Sequence, residues 1–222
     1  TKDWLSGMIA NVSQPFFPGD IAIVRAVSKK KCGVGIVNHY YVARMLAGVN
    51  GRRDNLYARK TKVIIPVHLF GLPSNMDEIM ILAKKYKLWV VEDAACGFGA
   101  KFKSRHVGAF GNAGCFSFHP RKAITTGEGG MITTLDTELT EKIKCLRDHG
   151  AAMSDLQRHL GAKPYLLADH PEAGFNQRMT DIQGALGSAQ MSRAQEIVEE
   201  RQKLAKIYDN AFADIDWLRT PL

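Results

Sequence analysis

Asp93 closes the apolar run Leu88-Trp89-Val90-Val91, and in open α/β sheets ligands bind beyond the carboxyl ends of strands. A carboxylate there can pair with a cationic ring nitrogen, although a helix cap or loop-end aspartate is the ordinary reading of such a residue. Lys122 lies in the segment His119-Pro120-Arg121-Lys122-Ala123-Ile124-Thr125-Thr126-Gly127-Glu128-Gly129, between two short strand-like runs. A lysine partly desolvated in such a loop shifts toward its neutral amine, the form that attacks a carbonyl to make a Schiff base. Taken alone, Lys122 is equally an ordinary surface lysine. Ser117, His119 and the Gly127-Glu128-Gly129-Gly130 turn flank it. His68 follows another apolar run. Considered singly, such histidines are more often hydrogen-bonded structural residues than acid–base groups, and glycine serves any tight turn.

The elements that must position these residues follow from hydrophobic period and caps. Lys62-Val63-Ile64-Ile65-Pro66-Val67 reads as a buried strand of a parallel sheet. Ser74-Asn75-Met76-Asp77 opens a helix whose Ile79, Ile81, Leu82 and Tyr86 are expected to share a buried stripe. The Leu88 strand then completes a βαβ unit. Cys115-Phe116-Ser117-Phe118 and Gly130-Met131-Ile132-Thr133-Thr134 are two further strands around the lysine loop, and Asp136 to Gly150 is an amphipathic helix with a glycine stop. Residues 151–174 read as a long irregular excursion. From Thr180 to about Phe212 the pattern is helical, with Ile182, Leu186, Met191, Ile197, Leu204 and Tyr208 expected inside and a bend at Gly187-Ser188. In the first 60 residues, Ile21, Val24 and Val27 suggest one helix and Val42, Met45 and Leu46 another.

Composition narrows the class. The chain has 222 residues, 45% of them hydrophobic and 23% charged, a globular balance that excludes disorder and fibre. No apolar run reaches the roughly 18 to 20 residues of a membrane span, and Thr1 to Ala10 lack signal-peptide order, so no membrane partner and a cytoplasmic location are expected. Of the net charge of +8, +7 sits in residues 1–60, with ten basic side chains against three acidic. No stretch interleaves aromatics with Lys and Arg, so a nucleic-acid partner is not expected and Lys29-Lys30-Lys31 reads as a solvated turn. Cys32, Cys96, Cys115 and Cys145 have neither zinc-ligand nor disulfide-framework spacing, so no metal is expected. A nicotinamide-type dinucleotide fold fails on Gly33-Val34-Gly35, which lacks a third glycine at the right spacing.

Five segments in order carry a stronger signal: Pro66-Val67-His68-Leu69-Phe70-Gly71, Glu92-Asp93-Ala94-Ala95, Phe116-Ser117-Phe118-His119-Pro120-Arg121-Lys122, Gly127-Glu128-Gly129-Gly130 and Asn176-Gln177-Arg178-Met179-Thr180-Asp181-Ile182-Gln183. Together, over about residues 60–215, they closely resemble the sugar-nucleotide aminotransferases of the DegT/DnrJ/EryC1/StrS family. The resemblance implies an α/β protein of fold type I, a three-layer αβα large domain around a mostly parallel sheet, with a small C-terminal α+β domain largely absent. Residues 1–60 would be an incomplete or atypical start of the large domain, 61–190 its cofactor-binding part, and 191–222 a helical link. The cofactor implied is pyridoxal 5'-phosphate, with pyridoxamine 5'-phosphate as its aminated form. Lys122 matches the lysine that carries it and moves the proton. Asp93 matches the aspartate facing the pyridine nitrogen, Ser117 a phosphate-binding serine, and Asn176 an asparagine that reaches the cofactor phosphate of the neighbouring subunit. A homodimer with shared active sites is therefore implied. His68 and His119 would line the substrate site. The substrates implied are L-glutamate as amino donor and a nucleotide-linked keto-sugar, 4-keto-6-deoxy more often than 3-keto, for O-antigen, another glycan or a natural product.

Two departures stand out. Cys96 occupies a cofactor-contacting position that is commonly Gln or His in the family. Upstream, Gly35 to Gly48 resembles a distorted phosphate-binding helix start with His39-Tyr40 in place of Gly-Thr, and too few residues separate it from the Lys62 strand. A non-catalytic truncated homologue acting as a binding or dimerisation partner is the alternative expectation. Family dehydratases replace the lysine with histidine, so Lys122 points to amino transfer.

Overall fold

The computed structural model describes residues 61–218 and Thr220. The expected helices around Ile21 and Val42, the Gly35–Gly48 segment, Lys29–Lys31 and Cys32 lie outside the described residues.

A four-stranded sheet organises the chain, in the order β1 (Val63–Ile64), β2 (Trp89–Asp93), β5 (Ala113–Ser117), β6 (Gly130–Thr133). β1 and β5 run parallel to the central β2, with Ile64 opposite Val90 and Asp93 opposite Cys115. β6 closes one edge antiparallel to β5, Ser117 facing Gly130. The sheet is thus mostly parallel, as expected. β1 is shorter than the expected Lys62–Val67 strand because Pro66 has no N–H for the ladder. The chain nevertheless stays beside β2: Asp93 N–H donates to Pro66 O at 2.8 Å and His68 N–H to Asp93 O at 3.0 Å.

Between β1 and β2, α1 (Met76–Tyr86) starts where Asn75 accepts the Glu78 N–H and ends at Lys87, whose φ is 51°. Met76, Ile79 and Ala83 are buried and pack with Ile64 and Val90 into the core. This stripe corrects the expected one. Ile81 stands two residues from Ile79, some 200° round the helix, and is 66% exposed.

The link from β2 to β5 holds an unforeseen hairpin, β3 (Lys101–Phe102) against β4 (Arg105–His106). Phe102 meets Phe110 edge-on at 6.0 Å, and the Arg105 guanidinium covers the Phe110 ring at 4.8 Å. Beyond it, Gly108 and Gly114 cross backbone to backbone: a Cβ on Gly114 would lie 2.4 Å from Gly108 Cα. No other residue type fits that crossing.

After β6, α2 (Thr137–Arg147) begins under Asp136, whose Oδ1 accepts the Leu139 N–H at 3.0 Å. The expected irregular excursion contains a short helix, α3 (Asp155–Leu160), started by a Ser154–Gln157 capping box. The C-terminal pattern resolves into α4 (Asp181–Met191), with a Thr180–Gln183 capping box, and α5 (Ala194–Phe212). The break falls at Ser192-Arg193, not at Gly187-Ser188. Glycine inside a helix costs stability without ending it, whereas Arg193 leaves helical geometry at φ −106°, ψ 11° and pairs bidentately with Glu196 of the next helix. Ile182, Leu186, Met191, Leu204 and Tyr208 are exposed among the described residues, and Ile197 is half-buried, so period located an apolar face without supplying what covers it.

Candidate active site

The chemistry-bearing residues gather where β2 and β5 end. Asp93 is the last residue of β2, half-buried, with its backbone clamped to Pro66 and His68 and its Oδ1 accepting the Ala95 N–H at 3.1 Å. The turn that follows presents Cys96 at the surface. Lys122 reaches this turn from the β5–β6 loop, its Nζ donating to Cys96 Sγ at 3.1 Å. An amine and a carboxylate from distant segments thus share one sheet end.

The lysine loop is firmly built. Phe118 N–H donates to Gly129 O, Thr126 N–H and Thr125 Oγ1 both donate to Phe118 O, and Ile124 is buried beneath. Helices α4 and α5 brace it from outside: Gln190 accepts the Thr125 N–H, Gln183 donates to Glu128 O, and Arg201 donates to the Lys122 carbonyl at 3.5 Å. Ser117 ends β5, with its Oγ accepting the His119 N–H at 3.4 Å. His119 turns into its own loop, Nδ1 accepting the Arg121 N–H at 3.3 Å and Nε2 lying 3.9 Å from Glu128.

His68 takes a different position from the substrate contact expected of it. Its side chain is fully buried. Nδ1 accepts the Ser74 N–H at 3.2 Å, so the ring proton sits on Nε2, which donates to Glu92 Oε2 at 3.1 Å. Glu92, which motif reading passed over as the neighbour of Asp93, is equally buried. It also accepts backbone N–H groups of Gly108, Phe110 and Gly111, each at 2.7 Å. Burial pushes this carboxyl up, yet the hydrogen bonds from His68, Gly111, Gly108 and Phe110 outweigh burial and hold it below its ordinary range. The pair staples the end of β1 and the 108–111 turn to the strand that carries Asp93. A signal was present in sequence: a charged residue inside an apolar strand, with glycines at 108, 111 and 114.

On the other side of Asp93, burial and then the negative charge of Asp93 push the half-buried Cys115 thiol up. Asn176 is exposed and apart from this cluster, on a segment bridged to Asp148, its Oδ1 accepting the Arg178 N–H. A cavity of ≈ 480 Å³ adjoins β5 and the lysine loop, lined by Phe116, Phe118 and Ile124 together with Phe98, Met131 and Met179 among others; its lining includes neither Asp93 nor Lys122.

The sequence profile of the DegT/DnrJ/EryC1/StrS aminotransferase family matches residues 54–221. The chain belongs to this family. GDP-perosamine synthase of Caulobacter vibrioides is 36% identical over 213 residues, covering 92% of this chain and 54% of that protein. UDP-N-acetyl-3-dehydro-alpha-D-glucosamine 3-aminotransferase of Acidithiobacillus ferrooxidans is 34% identical over 181 residues, 81% of this chain and 44% of that one. Among solved structures, Helicobacter pylori PseC, an aminotransferase of pseudoaminic acid biosynthesis, superposes with a TM-score of 0.64 at 34% identity, over 71% of this chain and 40% of that one. The DegT/DnrJ/EryC1/StrS chain described here therefore spans about half the length of the curated relatives it matches.

Members of the family use pyridoxal phosphate, and solved neighbours include its pyridoxal and pyridoxamine forms. The residues present fit that group. An aldehyde needs an amine, a cationic ring nitrogen a carboxylate, and a phosphate hydroxyl or N–H donors. Lys122, Asp93 and Ser117 supply these at neighbouring strand ends, and the 3.1 Å approach to Cys96 shows the amine aimed at the Asp93 turn. Among the described residues, no group of His, Cys, Asp and Glu has metal-site geometry, and no helix is long and apolar enough to cross a membrane.

Proposed function

We propose that the protein is a pyridoxal-phosphate-dependent aminotransferase that moves an amino group from glutamate to a nucleotide-linked keto-sugar. One observation carries the reading: the Lys122 amine is held over the turn that follows Asp93. When bound, the cofactor supplies an electron sink for negative charge at the reacting carbon. Lys122 is the residue that would hold the cofactor through its amine and would carry the proton to and from the reacting carbon. Asp93 would face the ring nitrogen and would hold its proton by charge pairing. The Ser117 hydroxyl and nearby backbone N–H groups bind the phosphate, and Cys96 stands where the family commonly has Gln or His. His119, at the rim of the same loop, is the substrate-side candidate. His68 acts from behind, through Glu92, on the strand that carries Asp93.

On this reading the acceptor is a 4-keto-6-deoxy sugar on a nucleotide, a reading to which the likeness to GDP-perosamine synthases adds GDP as one candidate carrier, with the 3-keto alternative represented by the Acidithiobacillus enzyme. The product serves O-antigen or another glycan in the cytoplasm. Residues 61–190 form the cofactor-binding part and 191–222 the helical link. Asn176, exposed and with its Oδ1 accepting the Arg178 N–H, is assigned on this reading to a neighbouring subunit's cofactor phosphate in a homodimer.

Purified protein mixed with pyridoxal phosphate is expected to gain a long-wavelength absorbance band that glutamate bleaches. Borohydride is expected to fix the cofactor on Lys122 and on nothing in Lys122→Ala. No band and no trapped lysine would sink the reading. The alternative, a non-catalytic homologue that binds or dimerises, predicts saturable cofactor binding without turnover of GDP- or UDP-linked keto-sugars; amino-sugar product detected by mass excludes it.

A further inference from the structure

Cys96 presents an exposed thiol directly to the Lys122 amine. The 3.1 Å between Sγ and Nζ lies within the roughly 3–3.5 Å separation from which bound groups react. Both side chains start from well-held backbone: the Cys96 turn follows the clamped end of β2, and the Lys122 carbonyl is tied to α5 through Arg201. We propose that Cys96 and Lys122 form a peroxide-driven, thiol-reversible sulfur–nitrogen link that takes the amine out of use. The regulatory consequence rests on the reading of Lys122 as the cofactor lysine; the bond itself does not.

The chemistry balances in two steps. Hydrogen peroxide oxidises the Cys96 thiol by two electrons, its O–O bond breaks, and sulfenic acid and one water form. The Lys122 nitrogen lone pair then attacks the sulfur, the S–O bond breaks, and the departing hydroxide takes a proton from nitrogen as a second water. The sum is thiol, amine and one peroxide giving a sulfenamide and two waters. A thiol reductant reverses it by attacking the same sulfur and returning the free amine. The link also closes the route from sulfenic to sulfinic acid, which is irreversible for most proteins. Selectivity follows from the surroundings. Cys96 is exposed and faces a nitrogen nucleophile, whereas Cys115 is half-buried, its thiol pushed up by burial and by Asp93, which starves it of the reactive thiolate. Cofactor and link compete for one nitrogen, so only enzyme lacking its cofactor is switched.

The test is non-reducing tryptic mass spectrometry of the full chain, freed of cofactor and exposed to limited peroxide. Modification of Lys122 blocks cleavage after it, so the expected species joins residues 88–101 to residues 122–142, lighter than the two peptides together by two hydrogens. Dithiothreitol is expected to part them and restore cleavage after Lys122. Cys96→Ser is expected to abolish the species, and Lys122→Arg to leave Cys96 as sulfinic acid. Cys96 recovered from wild-type protein as sulfinic acid, or in a disulfide, with Lys122 still cleaved, overturns the proposal. Pyridoxal phosphate added before peroxide is expected to suppress the link. A link that forms unimpeded under saturating cofactor leaves the sulfur–nitrogen bond standing and removes the cofactor role of Lys122. Borohydride trapping on Lys122 with no link in the cofactor-free protein does the opposite.

Discussion

Replacing Glu92 by glutamine tests whether a buried carboxylate, rather than the apolar strand around it, holds the floor of the site. Its Oε2 accepts the Gly108 N–H and the His68 Nε2–H; its Oε1 accepts the Phe110 and Gly111 N–H groups. A glutamine amide keeps one acceptor oxygen and turns an NH₂ toward two of these four donors. Two buried donors then lack an acceptor, at about 1–3 kcal/mol each, so the loss is roughly 2–6 kcal/mol. Breaking a buried charged network by removing one partner costs about 3–5 kcal/mol, which agrees. With a urea m-value of about 2 kcal/mol/M, the unfolding midpoint falls by roughly 1–3 M at neutral pH.

The pH dependence supplies the check on mechanism. The Glu92 carboxyl lies below its ordinary value of 4.5 in the folded protein. Its ionisation therefore contributes stability that is complete above the unfolded value and lost as pH falls through the lower folded value. Glutamine has no such dependence. The wild-type advantage in urea should thus be full at neutral pH and shrink below about pH 4.5. A neutral-pH loss under about 1 kcal/mol, or a gap that widens in acid, refutes the assignment of the staple to charge-assisted hydrogen bonds.

Gly114→Ala places a methyl against the Gly108 backbone and is expected to destabilise by at least about 1–3 kcal/mol, read in the same urea titration. Asp93→Asn is expected to retain borohydride-trappable cofactor on Lys122 while losing turnover, because in the proposed role the carboxylate faces the ring nitrogen and not the lysine bond; turnover at the wild-type rate contradicts that role. Cys115, its thiol raised by burial and by Asp93, is expected to react with iodoacetamide at neutral pH more slowly than exposed Cys96, measured peptide by peptide. Thr180→Ala removes one side of the α4 capping box and is expected to cost about 0.5–2 kcal/mol by thermal or urea unfolding.

Local signals made part of this architecture readable in advance. β2 and β5 are short apolar runs with sharp ends, and α1 and α2 carry a side-chain cap, acidic residues in the first turn and lysine in the last. The β3–β4 hairpin has no sequence signal because Lys101-Phe102 and Arg105-His106 are too short and polar to show a period; cross-strand pairing and the Phe102–Phe110–Arg105 contact hold them. Composition points to a C-terminal break at the weak helix formers Gly187-Ser188, while the chain leaves helical geometry at Arg193, a residue with no helix-breaking signature of its own.

The same division runs through the site. Lys122, Asp93 and Ser117 can be nominated from sequence because their chemistry belongs to their own side chains and their order along the chain is distinctive, and the structure places them at neighbouring strand ends. Glu92 shows in the sequence only as a charge at the end of an apolar strand; its partners do not, because three of the four are backbone N–H groups, which any sequence could supply. What selects the position is the path of the 108–111 turn, and that path depends on Gly108 and Gly114 touching without side chains. His68 followed the same logic: a histidine beside a motif is read as a substrate ligand until its Nδ1 is found accepting the Ser74 N–H and its Nε2 facing a buried carboxylate. The floor beneath Asp93 is therefore built from backbone donors around one charge. Substitutions at Glu92, Gly108 or Gly114 should disturb cofactor binding without touching a residue that meets the cofactor.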